Sequence, residues 1–140
     1  MIVLDTNVIS ELMRSEPSRC VIGWLDAQVA DQIAITAVTV GELLYGVARL
    51  PDGKRKQSLH QKAMILVEQD FAEAVLPYDG RAAQIYSVLV ARSESRGRAV
   101  SIADAQIAAI CIEHQALLAT RNCKDFEHLG LQLINPWQRA

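Results

Sequence analysis

The chain has 140 residues, 51% of them hydrophobic and 21% charged, and its 14 Lys and Arg against 16 Asp and Glu leave a formal net charge of −2. That length suits one domain, and the composition excludes a disordered tail, a collagen-like repeat and a uniformly basic nucleic-acid coat. Aromatic residues at 5% are too few to read single-stranded RNA by stacking bases on a row of rings, so any RNA contact leans on the backbone and its phosphates.

Short apolar runs at residues 2–5, 33–36, 74–76, 117–120 and 131–134 read as buried strands. Helical periods lie between them. Pro17 suits the first turn of a helix passing through Trp24 to about Val29. Residues 50–56, LPDGKRK, form an exposed corner between two helices. Leu59, Ala63, Leu66 and Val67 then mark one helix face, and Ala82, Ile85, Val88 and Leu89 mark another that opens at Asp79–Gly80 and stops near Gly97. In residues 101–115, Ile102, Ala105, Ile107, Ala108, Ala109, Ile110 and Ile112 surround the axis, which predicts a central buried helix. Strands alternating with helices predict an α/β domain around a mainly parallel five-stranded sheet, running from residue 1 to 140.

Cys20, Cys111 and Cys123 are scattered without a CxxC or zinc-finger spacing, the usage of reduced cytosolic thiols. The opening MIVLD lacks a basic leader region, and no apolar run approaches the ~18 residues of a membrane span. A cytoplasmic protein without a membrane partner is expected.

Ligands of open parallel sheets bind beyond the carboxyl ends of the strands. Asp5 ends the first strand, Glu42 lies in the helix begun after Thr36, Asp104 opens the buried helix, and Asp125 follows the fourth strand in TRNCKDF. Each has an ordinary structural alternative: an N-cap for Asp5, a helix-dipole partner for Asp104, a solvated helix acid for Glu42 and a turn cap for Asp125. Their common placement on one sheet edge favours a shared role. Two carboxylates about 5 Å apart repel by roughly 3 kcal/mol at an effective dielectric near 20, so such a cluster needs protons, basic partners or cations. An all-oxygen site suits Mg²⁺ or Mn²⁺, and water activated there can hydrolyse a nucleic-acid backbone.

The stretches MIVLDTNVISEL, TAVTVGELLYGVARLP, SIADAQIAAICIEH and LATRNCKDFEHLGLQLINPW, in that order across nearly the whole chain, resemble PIN-domain ribonucleases of the VapC/FitB toxin group. The resemblance implies a PIN-like α/β fold, an acidic Mg²⁺ or Mn²⁺ site, and endoribonuclease activity without a His, Cys or Ser nucleophile. It also implies a type II toxin, usually a homodimer, inhibited by a cognate antitoxin protein and reaching promoter DNA only through it. The family's acids fall on Asp5, Glu42, Asp104 and Asp125, with Asp5 and Asp104 as metal ligands and Glu42 and Asp125 acting directly or through bound water.

Among their neighbours, Thr6, Asn7, Thr120 and Asn122 are candidates to orient carboxylates or RNA, or else cap turns. Gly41 and Gly46 suggest close approach of another element to their helix. Ser10 and Glu11 read as helix surface, Trp137 as an anchor of the C-terminus, and Cys123 as packing. His60, His114 and His128 share no ligand spacing. Arg49, Lys54, Arg55, Lys56 and Lys62 make the corner basic, either a solvated patch or a phosphate-contacting rim. Two other readings are a promoter-repressing binding protein with little nuclease activity and a phosphotransfer receiver domain. The second lacks the paired acids that a receiver needs after its first strand.

Overall fold

Side-chain alternation along the strands divides the core in two. In the computed structural model, which describes residues 1–138, strand β1 (Ile2–Leu4) sends Val3 to a cluster with Leu118, Ile107 and Ala108, and Leu4 to a cluster with Val8, Ile9 and Ile35. Strand β4 (Leu117–Ala119) repeats the pattern with Leu118 and Ala119. With β2 (Ile33–Thr36), β3 (Val75–Leu76) and β5 (Leu133–Ile134) they form a five-stranded sheet in the order β3-β2-β1-β4-β5, and every pair is parallel. Ile2 is level with Ile33 on one side and with Leu117 on the other. The chain builds outward from β1 to β3 and then crosses back to β4. The strand order therefore reverses between β1 and β4, where an open sheet leaves a crevice at its carboxyl edge.

Helices α1 (Thr6–Leu12), α2 (Arg19–Asp26), α3 (Ala37–Ala48) and α4 (Lys54–Ile65) cover the Leu4 face through Val8, Val21, Leu43 and Ala63. Helices α5 (Gly80–Ser95), α6 (Ile102–Glu113) and α7 (Cys123–Phe126) cover the Val3 face through Leu89, Ala105 and Phe126. This is the α/β architecture that the alternating pattern predicts; the last two of the 140 positions lie outside the described residues. Among the described residues no helix is long and apolar enough to cross a membrane.

Several local expectations change. Pro17 stands outside α2, before the N-cap Ser18, whose hydroxyl accepts from Val21 N at 3.4 Å, and the helix stops at Asp26. A hydroxyl cap meets an orphan N–H that Pro cannot. Lys54 to Lys56 already belong to the first turn of α4, which shortens the corner, and past Ile65 the helix widens into a π-turn, Leu66–Asp70. Residues Ala105 and Ile107 to Cys111 of α6 are buried as expected, but Ile102, the first residue of the helix, is 68% exposed. A methyl group added at Gly41 or Gly46 would meet nothing within 4 Å, so no close neighbour explains either glycine. Gly97 differs: its φ of 68° turns the chain after α5, letting Arg98 N reach Ser93 O at 2.9 Å.

Candidate active site

Asp5 is the first residue beyond β1 and the N-cap of α1, so its capping role and its position at the crevice coincide. Oδ1 accepts from Thr6 N at 2.8 Å. Oδ2 accepts the Thr120 hydroxyl at 2.7 Å and the Asn7 amide at 3.4 Å. Thr120 is fully buried just past β4 and accepts in turn from Asn7 Nδ2 at 3.3 Å and Asn122 N at 3.1 Å. Asn7 Oδ1 takes Arg121 N at 3.2 Å. A web of neutral donors thus stitches the ends of β1 and β4 together around one carboxylate.

These bonds favour the charged form of Asp5, but burial outweighs them. Asp5 is only 5% exposed, and desolvation pushes its pKa from 3.8 to about 6 against the pull of Thr120 and Thr6, with repulsion from Asp104 and Glu42 adding to the rise. Glu42 reaches the site from the second turn of α3, where Thr6 Oγ1 donates to its Oε1 at 2.7 Å and also lies 3.1 Å from the Thr39 hydroxyl. Asp104 stands in the first turn of α6, behind the N-cap Ser101, whose hydroxyl accepts Asp104 N at 3.1 Å. Partial burial raises its pKa, assisted by Asp125 and Glu42.

Asp5, Glu42 and Asp104 line one cleft of about 530 Å³ with Thr6, Asn7 and Asn122. Asp125 does not line it. It lies inside α7 and lines an adjoining hollow of about 470 Å³ with Asp104, Arg98 and Lys124, so Asp104 is the link between the two. Asn122 precedes α7 without making a side-chain cap.

The same cleft also contains Ser10 and Glu11, expected on the helix surface, and Trp137, expected only as an anchor of the C-terminus, together with Arg14 and Arg121. Glu11 is not on the surface. It is 5% exposed, accepts Ser18 N at 2.8 Å, and pairs with Arg14 at 3.2 Å. The Ser18 bond and the Arg14 charge hold its pKa low against desolvation. Trp137 packs against the Leu4 side of the core and also carries the Arg121 guanidinium, 4.9 Å from its ring centroid. An Arg-x-x-Glu spacing in reverse, Glu11 and Arg14 one helical turn apart, was the available signal for the first pair; only folding joins Arg121 to Trp137. Cys123 Sγ lies 3.6 Å from Thr120 O, and burial raises its pKa, which makes it a packing thiol. The three cysteines are free, and burial pushes Cys111 up to about 12.

The donor set fits a hard divalent cation in chemistry: Asp5, Glu42 and Asp104 are oxygen ligands, and none pairs with Lys or Arg among the described residues. Among those residues no three His, Cys, Asp or Glu side chains are already converged into a coordination group. The carboxylates share a cleft and repel one another.

Comparison with known proteins gives the arrangement a family. The chain is 43% identical over 140 residues, all of both chains, to the VapC ribonuclease Y4jK of Sinorhizobium fredii. It is 38% identical to the toxin FitB of Neisseria gonorrhoeae, over 98% of this chain and 99% of that one. The crystal structure of FitAcB from Neisseria gonorrhoeae superimposes with a TM-score of 0.92 at 37% identity, covering 99% of this chain and 100% of that one. The structure of FitAB bound to a DNA fragment gives 0.93 at 36%, covering 100% and 98%. Residues 2–130, which span β1 to α7 and hold all four acids, match the PIN domain, and the chain belongs to the PIN-domain family.

Proposed function

We propose that this chain is a divalent-metal-dependent endoribonuclease acting as the toxin of a type II toxin–antitoxin pair. The observation that carries the reading is the burial of Asp5 at the β1–β4 crevice, in one cleft with Glu42 and Asp104, none of the three ion-paired to a base among the described residues. Relatives named as a ribonuclease and a toxin support the activity, and neighbours solved as toxin–antitoxin complexes support the partner. Asp5 and Asp104 would hold Mg²⁺ or Mn²⁺, with Glu42 and Asp125 helping directly or through water. The bound ion supplies a Lewis acid and an activated water for phosphodiester hydrolysis.

The residues of the chain prepare that chemistry. Thr120 and Thr6 N keep the Asp5 carboxylate oriented across the crevice. The Thr6 hydroxyl fixes Glu42 Oε1 at 2.7 Å, and Asn7 ties Asp5 to the Thr120–Arg121 segment. Asn122 sits at the cleft wall, available to RNA. Preorganisation of this kind limits the rearrangement needed when the cleft is loaded.

The test is cleavage of RNA by the purified chain with Mg²⁺ or Mn²⁺, comparing Asp5→Asn and Asp104→Asn, with and without co-expressed antitoxin. Loss of cleavage in both folded variants and inhibition by the antitoxin are expected. Full metal-dependent cleavage by either variant overturns the mechanism. A second role, promoter repression through the antitoxin, is favoured by the DNA-bound FitAB neighbour and is tested by whether promoter DNA is bound by the pair but not by this chain alone.

A further inference from the structure

Two guanidinium groups line the acidic cleft, and they are held differently. Arg14 is paired with Glu11 at 3.2 Å. Arg121 has no ion pair and no side-chain hydrogen bond among the described residues; the Trp137 ring carries it instead, 4.9 Å away. Its main chain is pinned, because Arg121 N donates to Asn7 Oδ1 at 3.2 Å and the preceding Thr120 bonds to Asp5. An arginine resting on an aromatic face has fewer rotamers open to it, yet all five N–H donors stay free at its edge. That edge matches the two oxygens of a phosphodiester.

The cleft needs such a group. Asp5, Glu42 and Asp104 repel an incoming polyanion, and Arg14 is already engaged by Glu11. Glu11 is in turn filled by Arg14 and Ser18 N; the Arg121 charge adds to the forces that keep its carboxyl ionised, but Arg121 forms no ion pair or hydrogen bond with it among the described residues. We propose that Arg121, steadied by Trp137, grips a backbone phosphate of the RNA strand at the wall of the acidic cleft. Arg121 would be a substrate-binding residue and Trp137 a positioning residue. The assignment rests on the ribonuclease reading.

The experiment measures binding of a labelled single-stranded RNA by fluorescence anisotropy in chelator, across a range of salt, with the RNA checked for integrity. Arg121→Gln should weaken binding about tenfold and lower the slope of log affinity against log salt by about 0.7, the value for one phosphate contact on a single strand. Arg121→Lys keeps the charge but not the fork, so it should keep the slope and lose affinity severalfold. Trp137→Leu should weaken binding with the slope retained, and Trp137→Phe should restore most of the loss. Arg81→Gln, an exposed charge in the first turn of α5, serves as the control.

Folding of each variant is checked by thermal melt. An Arg121→Gln protein with wild-type affinity and slope overturns the proposal, and so does an equal loss in Arg81→Gln. A wild-type chain that neither binds RNA in chelator nor cuts it with metal overturns the ribonuclease reading itself, and this assignment with it.

Discussion

Replacing Asp5 with Asn should stabilise the metal-free protein while it abolishes RNA cleavage. In the unfolded chain the carboxyl ionises near 3.8; in the fold it does so at about 6. The folded state therefore holds the proton more tightly, and the stability this contributes is complete below pH 3.8 and lost as the pH rises through 6. At about 1.4 kcal/mol per pH unit, the loss amounts to about 3 kcal/mol above neutrality. Asn resembles the protonated acid and escapes it. The variant and the wild type should thus melt together near pH 4 and separate above pH 7 by about 6–12 °C, taking about 2–4 °C per kcal/mol for a chain of this size. Circular dichroism melts in chelator over that pH range give the comparison. Adding Mg²⁺ or Mn²⁺ should close the gap, since the ion binds the ionised wild-type site and not the amide. Parallel melting curves for the two proteins, or a gap that widens toward acid, would refute the claim that burial is the dominant influence on Asp5.

Thr120→Val removes the 2.7 Å donor to Asp5, so the acidic limb of the pH–rate profile should move to higher pH; an unmoved limb would show that Thr120 does not support the carboxylate. Glu11→Gln should melt lower than the wild type at neutral pH and match it more closely in acid. The Glu11 pKa is lowered by folding, so its contribution is present above about 4.5 and disappears as pH falls, which a pH series of melts checks directly. Arg55 and Lys62 line a groove that reaches Thr6 and Glu42, so Arg55→Glu with Lys62→Glu should weaken RNA binding and flatten its salt dependence. Unchanged binding would leave the basic corner as a solvated patch.

The strand positions and the acids stood in the sequence for a common reason: strands buried on both faces are short unbroken apolar runs, and a charge at the end of such a run is conspicuous. Asp5 after IVL and Thr120 after LLA could be placed at strand ends without coordinates. The burial of α6 was legible too, from apolar residues on all sides. Its first turn was not: Ile102 is as apolar as the core residues that follow it, yet it is 68% exposed.

What composition and periodicity determined by themselves is the alternation of elements, the parallel sheet, and the edge on which the acids fall. Tertiary structure alone decided which of them meet. Strand order 3-2-1-4-5 puts Thr120 against Asp5 across 115 positions and gives Asp5, Glu42 and Asp104 one cleft, while the turn of α7 carries Asp125 into the hollow next door. It also buried Glu11 and laid Arg121 on Trp137. The physical reason is one of range: backbone propensity and hydrophobic period act over a few residues, whereas desolvation and the pairing of charges depend on neighbours that only the closed sheet brings together.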